Sequence, residues 1–277
     1  MKLSLGFSPC PNDTFIFYAL VHGLIDTGNL SYKEPLLEDV EMLNSWAMEK
    51  RLDVTKLSFH AMGHLLDEYC ILSSGSALGR GCGPMLIAET ALPVNTLKKK
   101  KIAIPGKLTT AALLLKMFLP ENSQLVEMRF DRIMAAIKEG SVDAGVIIHE
   151  SRFTYEEQGL ICLQDLGQWW EDTTGMPIPL GCIAARRSLG AEKLAQIDAQ
   201  IRASVDYAFA HPDSCLPYIA SHSQETEAEV VRNHIELYVN DFSKALGSEG
   251  KNAVEMLFER GRASGALPHS DLEIMAS

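Results

Sequence analysis

The sequence predicts an α/β protein in two lobes, each a central sheet flanked by helices, with a ligand cleft between the lobes. Three observations predict this. Between residues 102 and 148, short apolar runs alternate with helical periodicity in a βαβ series. Two apolar runs of similar character, at 84–88 and 180–185, bracket that series and read as crossings between lobes. From Ala191 onward the chain is mostly helical in pattern. The expected division is a discontinuous larger lobe, 1–88 plus 185–277, and an inserted smaller lobe, 89–184.

The elements follow in order. Residues 3–7 read as a first strand, Ser8 to Thr14 as a loop punctuated by two prolines, and 15–21 as an apolar helix. No G-x-G-x-x-G follows that strand and no Walker A pattern occurs, so no nucleotide cofactor is expected. Helical spacing through Val40, Leu43, Trp46 and Ala47 predicts a helix over 39–50, and 52–57 returns as a strand. Ser58 stands as N-cap of a helix over 59–69, and the glycine-rich stretch 75–83 leads into the strand 84–88. Inside the inserted lobe come a strand at 102–104, a helix at 109–119 stopped by Pro120, a strand at 125–128, a helix at 130–139 and a strand at 142–148. The tail offers helices at 191–210, 225–238 and 251–260.

Composition narrows the class. Over 277 residues, 47% hydrophobic and 22% charged describe a folded globular chain. A net charge of -11 disfavours nucleic acid and anionic membranes as partners, since both reward clustered cations. The one basic run, Lys98 to Lys101, reads as a solvated turn before a strand. The first residues lack a secretory pattern and no transmembrane segment is visible, so a cytoplasmic protein is expected. Its six cysteines are then expected to be reduced thiols, and without a C-x-x-C pair no structural metal is expected.

His149 is the foremost candidate for chemistry. It ends the 142–148 strand, where ligands of open α/β sheets bind, and it reads either as a satisfied polar cap or as a general base. Thr109 and Thr110 open a helix after Gly106, a place suited to a carboxylate or phosphate and equally to plain capping. Lys56-Leu57-Ser58 passes from strand end into helix, with the same two readings. Asn12, Asp13 and Thr14 lie at a third helix start, where a rigid cleft-lining loop is expected and Asp13 reads as a cap rather than a catalyst. Trp169-Trp170 and the run through Pro177 that follows read as packing or as an aromatic cleft wall. His60 and His64, four apart on one helix, have metal spacing but no partner motif.

Together, Ser8-Pro9-Cys10-Pro11-Asn12-Asp13-Thr14-Phe15, Lys56-Leu57-Ser58, Thr109-Thr110, Ile148-His149-Glu150 and the run from Gly175 to Gly181 resemble the 1,4-dihydroxy-6-naphthoate synthase family of the futalosine route to menaquinone. The resemblance spans nearly the whole chain. It implies a fold similar to type II periplasmic binding proteins in a cytoplasmic enzyme. The implied reaction is a lyase step that converts cyclic dehypoxanthinylfutalosine into 1,4-dihydroxy-6-naphthoate with release of dihydroxyacetone, without cofactor or metal. By position, His149 would be the proton acceptor, and Lys56, Leu57, Ser58, Thr109 and Thr110 would line the substrate site. Asn12, Asp13, Thr14 and Pro177 are further candidates for the cleft lining. A small carboxylate is the expected partner, and a homodimer is compatible with the sequence. The competing expectations are a solute-binding protein with the same cleft and a chorismate dehydratase of the same route.

Overall fold

Two sheets frame the molecule. A computed structural model describes residues 2–122, 124–224 and 227–275. The larger sheet runs Leu36–Leu37, Leu5–Phe7, Val54–Ser58, Ile178–Arg186, Tyr69–Ile71, and Ala77–Gly79 pairs with the far end of Ile178–Arg186. The smaller runs Leu125–Glu127, Ile102–Ile104, Ala144–Ile147, Met85–Ala88, Ile161–Asp165. In each sheet, βα connections give parallel pairs and one strand runs antiparallel to its neighbours: the late strand Ile178–Arg186 against Val54–Ser58, and the early strand Met85–Ala88 against Ala144–Ile147.

The expected crossings shift by one strand each. Met85–Ala88 belongs to the smaller sheet, because it pairs with both Ala144–Ile147 and Ile161–Asp165. Ile178–Arg186 belongs to the larger sheet, because it pairs with Val54–Ser58 along its length. The chain therefore passes between sheets at 80–84 and again at 175–177, ahead of the strands that carried the prediction.

Local chemistry explains the other departures. The first helix is Pro11–Val21, not 15–21, since proline at the first helical position has its φ preset and no N–H to leave unpaired. The helix after Ser58 is only Phe59–His64, and its expected second half gives way to the strand Tyr69–Ile71. Fully buried strands such as Tyr69–Ile71 lack alternation and resemble a helical stretch in sequence. The expected start of the 225–238 helix, Glu225 and Thr226, lies outside the described residues; the helix there is Ala228–Tyr238. Ala191–Ala210 forms one long helix, as its periodicity predicts. Lys98 and Lys100 pair with Glu121 and Asp143 in a surface turn.

At the first crossing the backbone of Gly83 lies directly against that of Gly167, in the first turn of the helix Leu166–Thr174. A Cβ on Gly83 would fall against the backbone of Gly167, and a Cβ on Gly167 would meet Gly83 Cα at 2.6 Å. Main chain cannot give way as a side chain can. Gly83→Ala is expected to destabilise the protein by about 1–3 kcal/mol, with Gly167→Ala behaving alike. Thermal unfolding of both variants checks this; melting at the wild-type temperature would mean the crossing is loose.

Candidate active site

A cavity of about 650 Å³, counted to its open mouth, lies between the sheets and is lined by residues from both. Its floor is built on one ion pair. Asp13 stands in the first turn of Pro11–Val21 and Lys56 in the strand Val54–Ser58, and Lys56 Nζ donates to Asp13 Oδ1 at 2.6 Å with both side chains almost fully buried. Asp13 Oδ1 also accepts from Asn12 Nδ2 at 2.9 Å, while Oδ2 accepts from the Ser8 amide and hydroxyl at 3.2 and 2.8 Å. The buried carboxylate is thus fully hydrogen bonded, as a buried charge must be.

This saturation reaches further. Asn12 gives its amide hydrogens to Asp13, so its Oδ1 is the acceptor facing His234 Nε2 at 2.9 Å. Burial holds the His234 pKa well below 6.5, with His149 and Lys56 lowering it further. A neutral His234 must then carry its proton on Nε2 and a lone pair on Nδ1. Its ring lies nearly parallel to that of His149, with centroids 6.2 Å apart, and Phe130 meets His149 edge-on from another side at 5.0 Å.

His149 follows the strand Ala144–Ile147 and has a φ of +59°, in the left-handed region. Such a backbone is strained for a residue with a Cβ, and strain of this kind collects at functional positions. No described residue hydrogen-bonds its imidazole, which borders the main cavity and a second, more polar one lined by Cys10, Glu38, Asp39 and Arg129. Burial lowers its pKa below 6.5, with Glu150, Asp13 and Asp39 opposing that shift. The result is a neutral imidazole free to accept a proton at neutral pH.

The opposite wall is the helix start at Thr110–Phe118. Thr109 is its N-cap, accepting from the Ala112 amide at 3.2 Å, whereas Thr110 donates its hydroxyl to Leu180 O at 2.6 Å and so spans from one sheet's helix to the other sheet's strand. The amides of Thr110 and Ala111 lie in the first turn, where no helical carbonyl can reach them, and both residues line the cavity. Beside them the protein supplies its own carboxylate: Glu41 accepts from the Leu108 amide at 3.0 and 3.2 Å, and burial raises its pKa. This part of the anion site is therefore already filled, which leaves the first-turn amides of Thr110 and Ala111, two of the residues that line the cavity.

Of the expected lining residues, the structure brings Lys56, Ser58, Thr109, Thr110, Asn12, Asp13 and His149 to the main cavity. Three do not reach it. Leu57 points to the other face of its strand and is buried in the core, as strand alternation requires. Thr14 turns its hydroxyl to Cys10 O and Pro11 O. Pro177 accepts at its carbonyl from Trp170 Nε1, and Trp170 is core. Ser58 is the N-cap by position, but its side chain makes no capping bond and instead accepts from Asn44 Nδ2. His60 is no metal ligand either: it donates from Nδ1 to Thr109 O, and burial pushes its pKa down to about 4. Burial likewise raises the Cys10 thiol well above its usual range, with Glu150 adding to the effect, which leaves it a poor nucleophile.

Sequence reasoning missed Glu41, Asn44, His234 and Tyr238. Glu41 reads as an ordinary first-turn acid. His234 could have been found, because it shares the buried face of its helix with Val231 and Tyr238, and a buried histidine needs a partner.

A two-lobed α/β fold with its cleft at the helix starts and strand ends defines a protein of the periplasmic-binding-protein-like class. A solved alkanesulfonate-binding protein from Xanthomonas axonopodis pv. citri, 14% identical, matches the fold with a TM-score of 0.71 over 97% of this chain and 94% of its own. Within that class, residues 3–263 match the family model described as menaquinone biosynthesis, and the chain belongs to that family. A 1,4-dihydroxy-6-naphthoate synthase from Thermus thermophilus is 50% identical over 95% of both chains. A crystal structure of a protein from Archaeoglobus fulgidus, 38% identical, superposes with a TM-score of 0.90 over 96% of this chain and 98% of its own.

Two stability predictions follow from the geometry. Asp13→Ala leaves Lys56 charged and unpaired in the interior and is expected to cost about 3–5 kcal/mol. Urea unfolding measures this, and a loss below 1 kcal/mol would mean that Lys56 finds water or another partner. His149→Gly relieves the left-handed backbone that His149→Ala retains, so the glycine variant should be the more stable by about 1 kcal/mol. Equal unfolding midpoints would show that φ at this position relaxes.

Proposed function

We propose that the protein is a lyase that carries out the 1,4-dihydroxy-6-naphthoate synthase reaction in menaquinone biosynthesis, with His149 as general base. The observation that carries this reading is the imidazole of His149 at the cavity wall, without a hydrogen-bond partner among the described residues, where burial favours its neutral form. The 50% identity to the Thermus thermophilus enzyme of that name supports the naphthoate product, and the resemblance of the sequence motifs implies cyclic dehypoxanthinylfutalosine as substrate and dihydroxyacetone as second product.

The chemistry suits the cavity. Splitting out a three-carbon fragment so that a ring aromatises requires a proton to leave the substrate, and a positioned base typically contributes about 10² to 10⁴-fold. His149 takes that proton. The substrate carboxylate is met at the other wall by the Thr110 and Ala111 amides and the positive end of their helix. Apolar lining from Val40, Pro84, Ile148 and Leu180 faces the nascent aromatic rings and excludes water from the intermediate. Lys56, already neutralised by Asp13, orients oxygen atoms without drawing the carboxylate away from the helix start.

A cytoplasmic setting accords with six free cysteines, five of them buried. Among the described residues no helix is long and apolar enough to cross a membrane.

Purified protein is expected to convert the cyclic substrate to naphthoate, followed by its absorbance, and His149→Ala to lose at least about 100-fold in kcat while still binding substrate. The His149 pKa lies below 6.5, so kcat/KM should hold as pH falls through 6.5 and drop only below it. Wild-type turnover in His149→Ala would remove His149 from the reaction. Substrate binding by the wild type without product would favour a binding protein.

A further inference from the structure

We propose that Cys10, His149 and Glu150 form a binding site for a thiophilic divalent cation of the zinc class, set in the wall between the two cavities. One ligand atom from each residue lies within 4.8 Å of the other two. Zinc bonds of about 2.0–2.3 Å in tetrahedral geometry separate neighbouring ligand atoms by roughly 3.2–3.8 Å. A side-chain movement on the order of 1 Å therefore closes all three around one ion. Thiolate, imidazole and carboxylate are the donors zinc accepts together, whereas magnesium and calcium take oxygen alone.

The backbone holds the donors in place. Cys10 is fixed between Pro9 and Pro11, and its carbonyl accepts from the Asp13 and Thr14 amides at 3.1 and 3.0 Å. His149 and Glu150 are consecutive at the strand end, so one rigid turn presents both.

Two buried atoms without partners that face each other point to something held here. Glu150 Oε2 is enclosed and has no hydrogen-bond partner among the described residues, in a residue only 9% exposed. His234 Nδ1 lies 3.9 Å from that oxygen, on a side chain 1% exposed, and is equally without a partner. A buried lone pair and a buried carboxylate oxygen facing each other at that distance repel, and a cation at Glu150 converts the arrangement into an attractive one. Asp13 and Asp39 add negative potential at Cys10. His149 borders both cavities, so the ion would have access to water as a fourth ligand.

Binding transfers the thiol proton to solvent and occupies the His149 lone pair, so it shuts off proton acceptance. That consequence rests on His149 being the base; the site itself does not. It also departs from the metal-free expectation of the sequence, in which Cys10 and His149 are too far apart to form a motif.

Cobalt(II), a spectroscopic stand-in for zinc, tests the site in chelator-treated protein without substrate. One equivalent should bind, with tetrahedral visible bands and a thiolate-to-cobalt charge-transfer band, both abolished by added zinc. Cys10→Ser should lose the charge-transfer band, and Glu150→Gln and His149→Gln should each weaken binding about tenfold or more. Cys162→Ser, which removes the exposed thiol, should change nothing. A missing charge-transfer band in the wild type overturns the proposal, as does a band that survives Cys10→Ser or vanishes in Cys162→Ser. Should Cys10→Ser fail to fold, unchanged cobalt affinity in both Glu150→Gln and His149→Gln overturns it equally. Neither result bears on turnover, so the fate of this site and that of the base are read separately.

Discussion

The Lys56–Asp13 pair is the constraint from which the site is built. Removing two charges from water is costly, and only a fully bonded carboxylate offsets that cost. Asp13 achieves this by drawing in Ser8, Asn12 and Lys56, which ties the first strand, the first helix and the Val54–Ser58 strand into one unit. The same bonds fix which way Asn12 points, hence which nitrogen of His234 carries its proton. The ring against which His149 lies is therefore set by a chain of hydrogen bonds that begins at a salt bridge on the opposite sheet.

His149 lies where opposing effects meet. Burial disfavours its charged form, while Glu150, Asp13 and Asp39 favour it, and burial prevails. An imidazole so balanced is neutral at rest, and the nearby carboxylates favour the imidazolium once a proton arrives. At the other wall, Glu41 occupies the Leu108 amide and leaves a smaller anion site than the sequence suggests.

Much of this was legible in the sequence because it is local. Turn residues and periodicity located the βαβ series, the helix Ala191–Ala210 and the strand that ends before His149. Local rules also failed in intelligible ways. Proline at the first helical position moved Asn12, Asp13 and Thr14 from a loop into a helix, and strand alternation sent Leu57 to the core while its neighbours Lys56 and Ser58 faced the cleft. The crossings were misplaced because pairing partners, rather than the strands' own composition, decide which sheet a strand joins. Glu41 and His234 act across great sequence separations, and no spacing announces such contacts.

The central claim is that His149 stands neutral at the cavity wall, ready to accept a proton. A nuclear magnetic resonance titration of the ¹⁵N-labelled imidazoles, with His149→Gln to assign the signal, measures this directly. His149 is expected to titrate below 6.5. A midpoint at or above 6.5 would mean that the surrounding carboxylates outweigh burial, and would contradict a ring held neutral by desolvation.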